Sequence, residues 1–249
     1  MWRAFLKLSV AALLLSVPGW AIAEEIRIAV ASNFAGTLKD ISVLFEKQTG
    51  HKISLSSGSS GSHYAMIVNG APFDAYFSAD VERPRLLEEA GAIIPGSRFT
   101  YAVGRLVLWS SEEAKVDSEG HILVRGDYKH LAIANPKLAP YGEAAQEVLE
   151  ARGVWTRIQH RVVRGESISQ TFQFVHTGNA EIGFVALSQL SRPGKPVQGS
   201  HWTVPRNLYS PIEQQAVLIK DNEAARAFLA FVQSTEIRKL IQAYGYDVH

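Results

Sequence analysis

The sequence predicts an α/β fold in which parallel-rich sheets are flanked by helices. Short apolar runs typical of buried strands alternate along most of the chain with segments whose apolar residues recur at helical spacing. Several of these helical segments end at a glycine, which is a common helix stop. Such alternation produces β-α-β units and therefore a parallel sheet, and 249 residues suffice for one large domain or for two lobes of about 100 residues each.

The first three strand-helix pairs follow this pattern closely. The run EIRIAVA (25–31) predicts a buried strand, and the apolar residues after it are spaced as on one helix face up to Gly50. A second strand is predicted over HKISLSS, and its helix ends at Asn69-Gly70. A third strand is predicted over DAYFSA, and the helix after it, ERPRLLEEAGAI, is closed by Gly91.

The rest of the chain continues the alternation with less regular spacing. A longer strand is predicted at 101–111, and the Gly/Pro-rich loop at 192–213 is the expected return linker between lobes. Two final helices are predicted at 222–233 and 235–244, with Ser234 as a cap between them. The other predicted elements are the strands LAIANP, RVVRG, AEIGFVAL and IEQQAVLIK and the helices at about 142–152 and over SQTFQFVHTG.

Residues 1–23 are predicted to be a secretory signal peptide. Two basic residues precede an apolar stretch at 8–17, and Ala21-Ile22-Ala23 matches the A-x-A pattern of a cleavage site. We therefore expect export to the periplasm with cleavage after Ala23. The alternative is a retained membrane anchor, but the apolar run is shorter than the roughly 20 residues that a spanning helix needs, and Pro18-Gly19 interrupts it.

The composition of the exported chain excludes several classes of protein. Loss of two basic residues with the signal peptide lowers the formal net charge from +1 to −1. Nucleic-acid binding needs a basic surface, so no nucleic-acid partner is expected. The chain has no cysteine, which excludes disulfides and thiolate chemistry. Its eight histidines show no H-x-x-x-H or H-E-x-x-H spacing, so no direct metal-cation site is expected.

Two strand-to-helix junctions carry small polar residues and no cationic side chain. The first, AVASNFAG, places Ser32 and Asn33 at the end of a predicted strand, and the second, SSGSSGSHY, supplies Ser59, Ser60 and Ser62. In a parallel sheet, ligands bind beyond the carboxyl ends of the strands, where helix N-termini present unpaired N–H groups that favour anions. The alternatives are helix capping for the first junction and a flexible surface loop for the second.

Two further helix starts repeat this arrangement. The first, Pro140-Tyr141-Gly142, follows NPKLA, and the second, Ser167-Ile168-Ser169, lies within GESISQTF. Each start is a weak signal by itself, because helices commonly begin with such residues. Four of them in one alternating chain predict a cradle for a small oxyanion.

The chain closely resembles the periplasmic molybdate-binding proteins of ABC importers over essentially its whole length after the signal. The strongest element is GAPFDAYFSAD, which matches the family's GAPAD-x-x-x-SAD block. The similarity continues through AVASNF, LKDISVLFEKQTG, SSGSSGSHYAMIVN, LAIANPKLAPYGEAAQEVLEARGVW, GNAEIGFVAL and SPIEQQAVLIK. The resemblance implies a two-lobed periplasmic-binding-protein fold, type II-like, with two crossover strands. Lobe one would comprise residues 24–102 plus 208–249, and lobe two residues 103–207.

The resemblance also implies which residues hold the ligand. The family's ligand positions fall on Ser32, followed by Asn33, and on Ser60. The resemblance also implies that the two later helix starts bring the backbone N–H groups of Tyr141 and Ile168 to the site. The Tyr141 phenol is either a further ligand or takes no part. Some members have a ligand tyrosine where this chain has Ala186. Others have a tyrosine at the position of Tyr141 instead, and we assign this chain to that subtype.

The function implied is capture of molybdate, and also of tungstate, between the lobes and delivery to the membrane permease of an ABC importer. We expect a monomer without enzymatic activity and without a cofactor beyond the bound oxyanion. A site of hydroxyls, an amide and peptide N–H groups offers only donors and suits a fully deprotonated dianion, whereas hydrogen phosphate would bury a proton without an acceptor. Sulfate differs only in size, so a sulfate-binding or other oxyanion-binding importer subunit is an open alternative.

Other polar residues have plainer interpretations. Asp74 and Asp80 bracket a strand end and are expected to act as structural caps and to make contacts within the lobes. His63, beside the loop SSGSSGSHY, is expected to face solvent, and the alternative is that it supports the site residues from behind. The enzymatic alternative is an exported serine hydrolase with Ser60 as its nucleophile. Against it, no serine lies in a G-x-S-x-G or S-x-x-K motif.

Overall fold

The structure is a computed structural model that describes residues 23–248. The predicted signal peptide lies outside the described residues, except for Ala23. Within the described part of the chain, no helix is both long enough and apolar enough to cross a membrane.

Strands and helices alternate along the described chain as the apolar pattern predicts. Two short 3-10 turns, Gln159–Arg161 and Arg206–Leu208, accompany them. The strands are β1 Glu25–Ala31, β2 Lys52–Gly58, β3 Ala75–Phe77, β4 Phe99–Gly104, β5 Leu106–Ser110, β6 Leu131–Ala134, β7 Val162–Gly165, β8 Ile182–Ala186, β9 Ser200–Thr203 and β10 Ile212–Leu218. The helices are α1 Ala35–Thr49, α2 Ser60–Val68, α3 Glu82–Glu89, α4 Ile122–Arg125, α5 Pro140–Ala151, α6 Trp155–Ile158, α7 Ile168–His176, α8 Leu187–Leu190, α9 Glu223–Val232 and α10 Thr235–Ala243.

The strands form two five-stranded sheets. The first has the order β2-β1-β3-β10-β4, and the second has the order β7-β6-β8-β5-β9. In the first sheet β1 runs parallel to β2 and β3, and in the second β6 runs parallel to β7 and β8. The remaining pairs are antiparallel, between β10 and its neighbours β3 and β4 and between β5 and its neighbours β8 and β9. The predicted α/β fold with parallel-rich, helix-flanked sheets is thus confirmed.

The chain passes between the sheets twice. The first passage is short, because β4 ends at Gly104 in the first sheet and β5 begins at Leu106 in the second. The single strand predicted at 101–111 is therefore wrong, since Arg105 divides it between the sheets. Both halves are apolar because each packs against its own core, so the apolar pattern does not reveal the break. The return passage leads from β9 through a 3-10 turn to β10.

Asp247 contacts both passages. Its backbone exchanges hydrogen bonds with Val103, at 2.8 and 3.0 Å between nitrogen and oxygen. Its carboxylate forms ion pairs with Arg105 in the first passage and with Arg206 in the second. The end of the described chain is thereby attached at the place where the two sheets are connected.

Each sheet has its own apolar core. Phe34, Phe77 and Phe228 are fully buried in the core of the first sheet, where helices α1, α9 and α10 pack. The second sheet buries Phe184 together with Leu149 of α5. Burial of each such side chain stabilises the fold by about 1.5–3 kcal/mol relative to exposure.

Several local details depart from the predicted elements. Strand β9 lies inside the segment predicted as a loop at 192–213, and the four-residue helices α4 and α6 were not predicted. The prediction for Ser234 is confirmed, because its side chain accepts a hydrogen bond from the backbone N–H of Ile237 and caps α10.

Candidate anion site between the two sheets

A small cavity lies between the two sheets. Its volume is about 10 Å³, close to the minimum that one water molecule needs. The five residues implied by the resemblance, Ser32, Asn33, Ser60, Tyr141 and Ile168, all line it. The other lining residues are Ala31, Gly58, Ser59, Ala79, Ala139 and Pro140. The structure therefore brings the five together, and their role as ligands stays a prediction.

The topology explains why these residues meet. Ser32 and Asn33 follow β1, and Ser60 begins α2 directly after β2. Tyr141 and Ile168 lie at the starts of α5 and α7, which follow β6 and β7. Because β1 is parallel to β2 and β6 is parallel to β7, the strand ends of each pair share one edge of their sheet. The N-termini of three helices thus face the cavity, and their dipoles favour an anion there.

The polar residues of the first two junctions are not explained by capping or by exposure. The N-cap of α1 is Phe34, and no side chain accepts a hydrogen bond there, so the capping alternative for Ser32 and Asn33 is wrong. In the second junction Ser59 caps α2, which leaves the side chain of Ser60 for other contacts. Ser59 and Ser60 are 5% and 1% exposed, so the surface-loop alternative is also wrong.

Backbone N–H groups of several lining residues have no acceptor among residues 23–248. They include those of Asn33, Ser60, Tyr141 and Ile168. The last three lie in the first turn of a helix, where N–H groups have no partner within the helix. A buried N–H left without a partner costs about 1–3 kcal/mol, and a bound anion would supply the acceptor.

Three hydroxyl groups of lining residues accept a hydrogen bond from an N–H and donate none within the described chain. The Oγ of Ser60 accepts from the backbone N–H of Ala79 at 2.9 Å, and the Oγ of Ser32 accepts from a backbone N–H of α7 at 3.3 Å. The hydroxyl oxygen of Tyr141 accepts from the side-chain amide of Gln214 at 3.2 Å. Because no described residue accepts any of the three hydroxyl protons, each proton is left to donate to a ligand.

The side chain of Asn33 is bonded within the protein. Its Nδ2 donates to Oε1 of Gln214 at 2.8 Å and to the hydroxyl of Tyr246 at 3.1 Å, so both amide protons are used. The Tyr246 hydroxyl donates in turn to the backbone oxygen of Asn33 at 2.9 Å. The amide donor expected from the sequence is therefore not available from the Asn33 side chain, and only the backbone N–H of Asn33 has no partner among the described residues.

The phenol of Tyr141 stays protonated. The residue is 1% exposed, and burial raises the pKa of the phenol well above its usual value, against the smaller lowering effect of the hydrogen bond from Gln214. Within the described residues, no lining side chain carries a positive charge. The site therefore consists of neutral donors and helix N-termini.

Hydrogen bonds join the two sheets around the cavity. The N–H of Gly61 donates to the backbone oxygen of Leu138 at 2.9 Å, and the Oγ of Ser188 donates to that of Asn33 at 3.1 Å. Ala31, at the end of β1, belongs to the apolar cluster of the second sheet. The two halves are therefore in contact over the cavity, and the structure shows a closed arrangement.

His63 is buried, so the expectation that it faces solvent is wrong. It is 2% exposed, its ring packs against Gly58, and its Nε2 lies 3.3 Å from the Oγ of Ser56. Its Nδ1 has no partner among the described residues. Burial lowers the pKa of the imidazole from 6.5 to about 4. A neutral His63 therefore packs against the main chain at Gly58, directly before Ser59 and Ser60.

The two aspartates make structural contacts, as predicted. Asp74 accepts a hydrogen bond from the backbone N–H of Arg27, and Asp80 accepts one from that of Arg83 and pairs with its guanidinium. In the described part of the chain, no three His, Cys, Asp or Glu side chains are grouped so as to hold a metal ion.

Sequence analysis did not identify Ala79 or Gln214. The backbone N–H of Ala79 donates a hydrogen bond to the Oγ of Ser60, and no side-chain pattern reveals a backbone contact of this kind. Gln214 is fully buried in strand β10, at a position that faces inward like that of Ile212. A polar residue at an inward-facing strand position needs a buried partner, and this is the signal that could have found it.

Comparisons with known proteins agree with this arrangement. A family model described as bacterial extracellular solute-binding protein matches residues 26–247. The molybdate-binding protein ModA of Azotobacter vinelandii is 50% identical over 231 residues, which cover 92% of each chain. ModA of Rhodobacter capsulatus is 47% identical over 230 residues, which cover 91% of this chain and 89% of the relative. The solved structure of the periplasmic molybdate-binding protein of Azotobacter vinelandii matches with a TM-score of 0.88 and 42% identity, covering 90% of this chain and 99% of that one.

The family model spans nearly the whole described chain, and a molybdate-binding protein of Azotobacter vinelandii matches in each of the two other comparisons, by sequence and by structure. This chain therefore belongs to the bacterial extracellular solute-binding proteins, and its resemblance to the periplasmic molybdate-binding proteins of ABC importers is confirmed.

Proposed function

We propose that this protein captures molybdate, and also tungstate, in the periplasm and delivers it to the membrane permease of an ABC importer. The observation that carries the proposal is the donor set of the closed cavity. Three hydroxyls lack an acceptor for their proton within the described residues, and backbone N–H groups beside them lack one too. The names of two relatives, at 50% and 47% identity, support molybdate as the ligand.

The donor set favours anions that carry no proton. A fully deprotonated tetrahedral dianion accepts hydrogen bonds at every oxygen, whereas hydrogen phosphate brings a proton whose only acceptors among the three hydroxyls are oxygens that already accept an N–H. An unpaired buried donor costs about 1–3 kcal/mol, which corresponds to roughly 5- to 150-fold in affinity. Sulfate also carries no proton at neutral pH, so only the size of the closed cavity separates it from molybdate.

The ligand would bind between two lobes, residues 24–102 plus 208–249 and residues 103–207, with Ser32, Asn33 and Ser60 on one side and Tyr141 and Ile168 on the other. The assignment of β4 and β10 to one sheet and of β5 to β9 to the other supports this division to within two residues, because β4 ends at Gly104. We also propose that the protein is a monomer and that it is exported with its signal peptide cleaved after Ala23.

A binding role is favoured over a catalytic one. The Oγ of Ser60 accepts a hydrogen bond from a backbone N–H, and the neighbouring imidazole of His63 has its Nε2 next to Ser56 instead. A serine nucleophile needs a base within hydrogen-bond reach, and no described residue supplies one to Ser60. In the proposed role the protein needs no cofactor besides the oxyanion that it carries.

Titration calorimetry on the mature protein, freed of ligand by dialysis, tests the proposal. Molybdate, tungstate, sulfate, phosphate and chromate are titrated separately at neutral pH, and each bound anion is then released and identified. We expect tight binding of molybdate and tungstate, binding of phosphate that is weaker by roughly 5- to 150-fold, and recovery of the anion unchanged. Equal affinities for phosphate and molybdate contradict the donor-only site, and tightest binding of sulfate assigns the protein to a sulfate importer instead.

A further inference from the structure

Gln214 lies behind the cavity and not on its surface. It is fully buried in β10, at a point where the pairing between β10 and β4 is irregular. Its side-chain amide lies between two lining residues from opposite sides of the cavity, Asn33 and Tyr141. The hydrogen bonds around it fix which atom of the amide faces which neighbour.

The direction of these hydrogen bonds follows from a backbone carbonyl. The hydroxyl of Tyr246 donates to the backbone oxygen of Asn33 at 2.9 Å, and a carbonyl oxygen is only an acceptor. The same hydroxyl oxygen must therefore receive a hydrogen bond from the Asn33 side chain, which identifies the atom 3.1 Å away as Nδ2. The second proton of Nδ2 then points to the Gln214 side chain at 2.8 Å, and the receiving atom there must be Oε1.

The orientation of Gln214 in turn fixes that of Tyr141. With Oε1 held by Asn33, and also 2.9 Å from the hydroxyl of Tyr101, the Nε2 group faces Tyr141 and donates to its hydroxyl oxygen at 3.2 Å. The Tyr141 hydroxyl has one proton, and no described residue accepts it. Gln214 therefore donates a hydrogen bond to the Tyr141 hydroxyl, just as a backbone N–H donates one to the hydroxyl of Ser60 and another to that of Ser32.

We propose that Gln214 is a positioning residue that makes the Tyr141 hydroxyl a hydrogen-bond donor to the bound oxyanion and so contributes to selection against protonated anions. The inference rests on the proposed function. A carboxylate at position 214 would reverse the bond, because it only accepts and would receive the hydrogen bond that the Tyr141 hydroxyl donates. The phenol oxygen would then present lone pairs to the cavity, which oppose a dianion and suit the proton of hydrogen phosphate.

The test is a double-mutant cycle between Gln214→Glu and Tyr141→Phe, read by calorimetric affinities for molybdate and phosphate. Wild-type binding of molybdate or tungstate is measured first. If neither binds, the proposed function fails and this inference fails with it. We expect Gln214→Glu to weaken molybdate binding by about tenfold or more and to reduce the ratio of molybdate to phosphate affinity. In the Tyr141→Phe background the same substitution should have a much smaller effect.

Gln215→Glu is the matched control. It adds the same charge one residue along β10, where the side chain contacts Arg98 and Thr100 instead of the cavity network. It should leave the affinity ratio unchanged. If Gln214→Glu does not fold, Gln214→Met removes the donor without adding charge, and its smaller loss of affinity should again disappear with Tyr141→Phe. Equal weakening of all anions, or losses that simply add in the double mutant, would show that Gln214 is structural only and overturn the inference.

Discussion

Gly104 leaves the space that the Tyr141 hydroxyl occupies. A Cβ atom at position 104 would overlap the hydroxyl oxygen and approach Nε2 of Gln214 to 2.7 Å. Gly104 is also the last residue of β4, directly before the chain passes to the second sheet. The absence of a side chain at this passage therefore lets the phenol reach across from α5 to the first sheet.

Gly104→Ala should consequently weaken ligand binding and lower the melting temperature. Overpacking of this kind costs about 1–3 kcal/mol, and the phenol or Gln214 must shift to relieve it. We expect a loss of molybdate affinity of roughly 5- to 150-fold by calorimetry. Gly36→Ala is the control, because no atom lies within 4 Å of the added Cβ and alanine favours helix α1. Unchanged affinity in Gly104→Ala would mean that the position of the phenol is unimportant for binding.

Ser60→Ala should reduce affinity more than it reduces stability. It removes one hydroxyl donor to the anion, worth roughly 1.5–3 kcal/mol, or about 10- to 150-fold in affinity. It also leaves the N–H of Ala79 without its acceptor, so the free energy of unfolding of the ligand-free protein should fall by about 1 kcal/mol.

Ser234→Ala provides the comparison for this variant. Its hydroxyl also accepts a backbone N–H, but as the cap of α10, outside the lining of the cavity. Urea denaturation should show a loss of about 1 kcal/mol for this variant, with molybdate affinity unchanged. If Ser60→Ala behaves in the same way, its hydroxyl is a structural acceptor and not a ligand.

Five of the residues that line the cavity could be located from the sequence because the fold itself groups them. Ser32 and Ser60 follow neighbouring parallel strands, and strand ends of that kind always meet at one edge of a sheet. The resemblance to a family then placed Tyr141 and Ile168 opposite them. None of these inferences needed side-chain geometry.

The features that sequence analysis missed depend on contacts between distant residues. The break at Arg105 separates two apolar runs that pack against different cores, and local periodicity is the same for both. Gln214 contacts Asn33 across 181 positions in the chain, and Tyr141 across 73. The burial of His63 depends on packing against Phe73 and Tyr76, which no local pattern encodes.

His63 should make the protein less stable in mild acid. Its pKa is about 4 in the folded protein and 6.5 ordinarily, so between these values the unfolded chain binds more protons. The contribution to stability is therefore lost as the pH falls through this window. We expect wild type to lose about 2 kcal/mol more than His63→Gln between about pH 7 and pH 5 in urea denaturation.

The control for this experiment is His160→Gln, because His160 is exposed. This variant should keep the wild-type dependence of stability on pH. If wild type and His63→Gln lose the same stability over this range, the imidazole does not remain neutral and buried as the structure shows.

Ligand should shift the protein toward the closed arrangement. Ser60 and Ile168 contribute unpaired N–H groups from opposite sides of the cavity, whose volume of about 10 Å³ holds about one water molecule. The two sides must therefore separate slightly to admit an oxyanion of five heavy atoms. Without an anion, opening of the cleft lets water reach these groups, whereas an oxyanion satisfies them all only when the two sides meet. The ligand therefore favours closure by its differential affinity for the closed state. Small-angle scattering should show a smaller radius of gyration with saturating molybdate than without it, and phosphate at the same concentration should reduce the radius less. If calorimetry shows saturation and the radius stays the same, the anion is bound by one side alone, and Tyr141 and Ile168 are not part of its site.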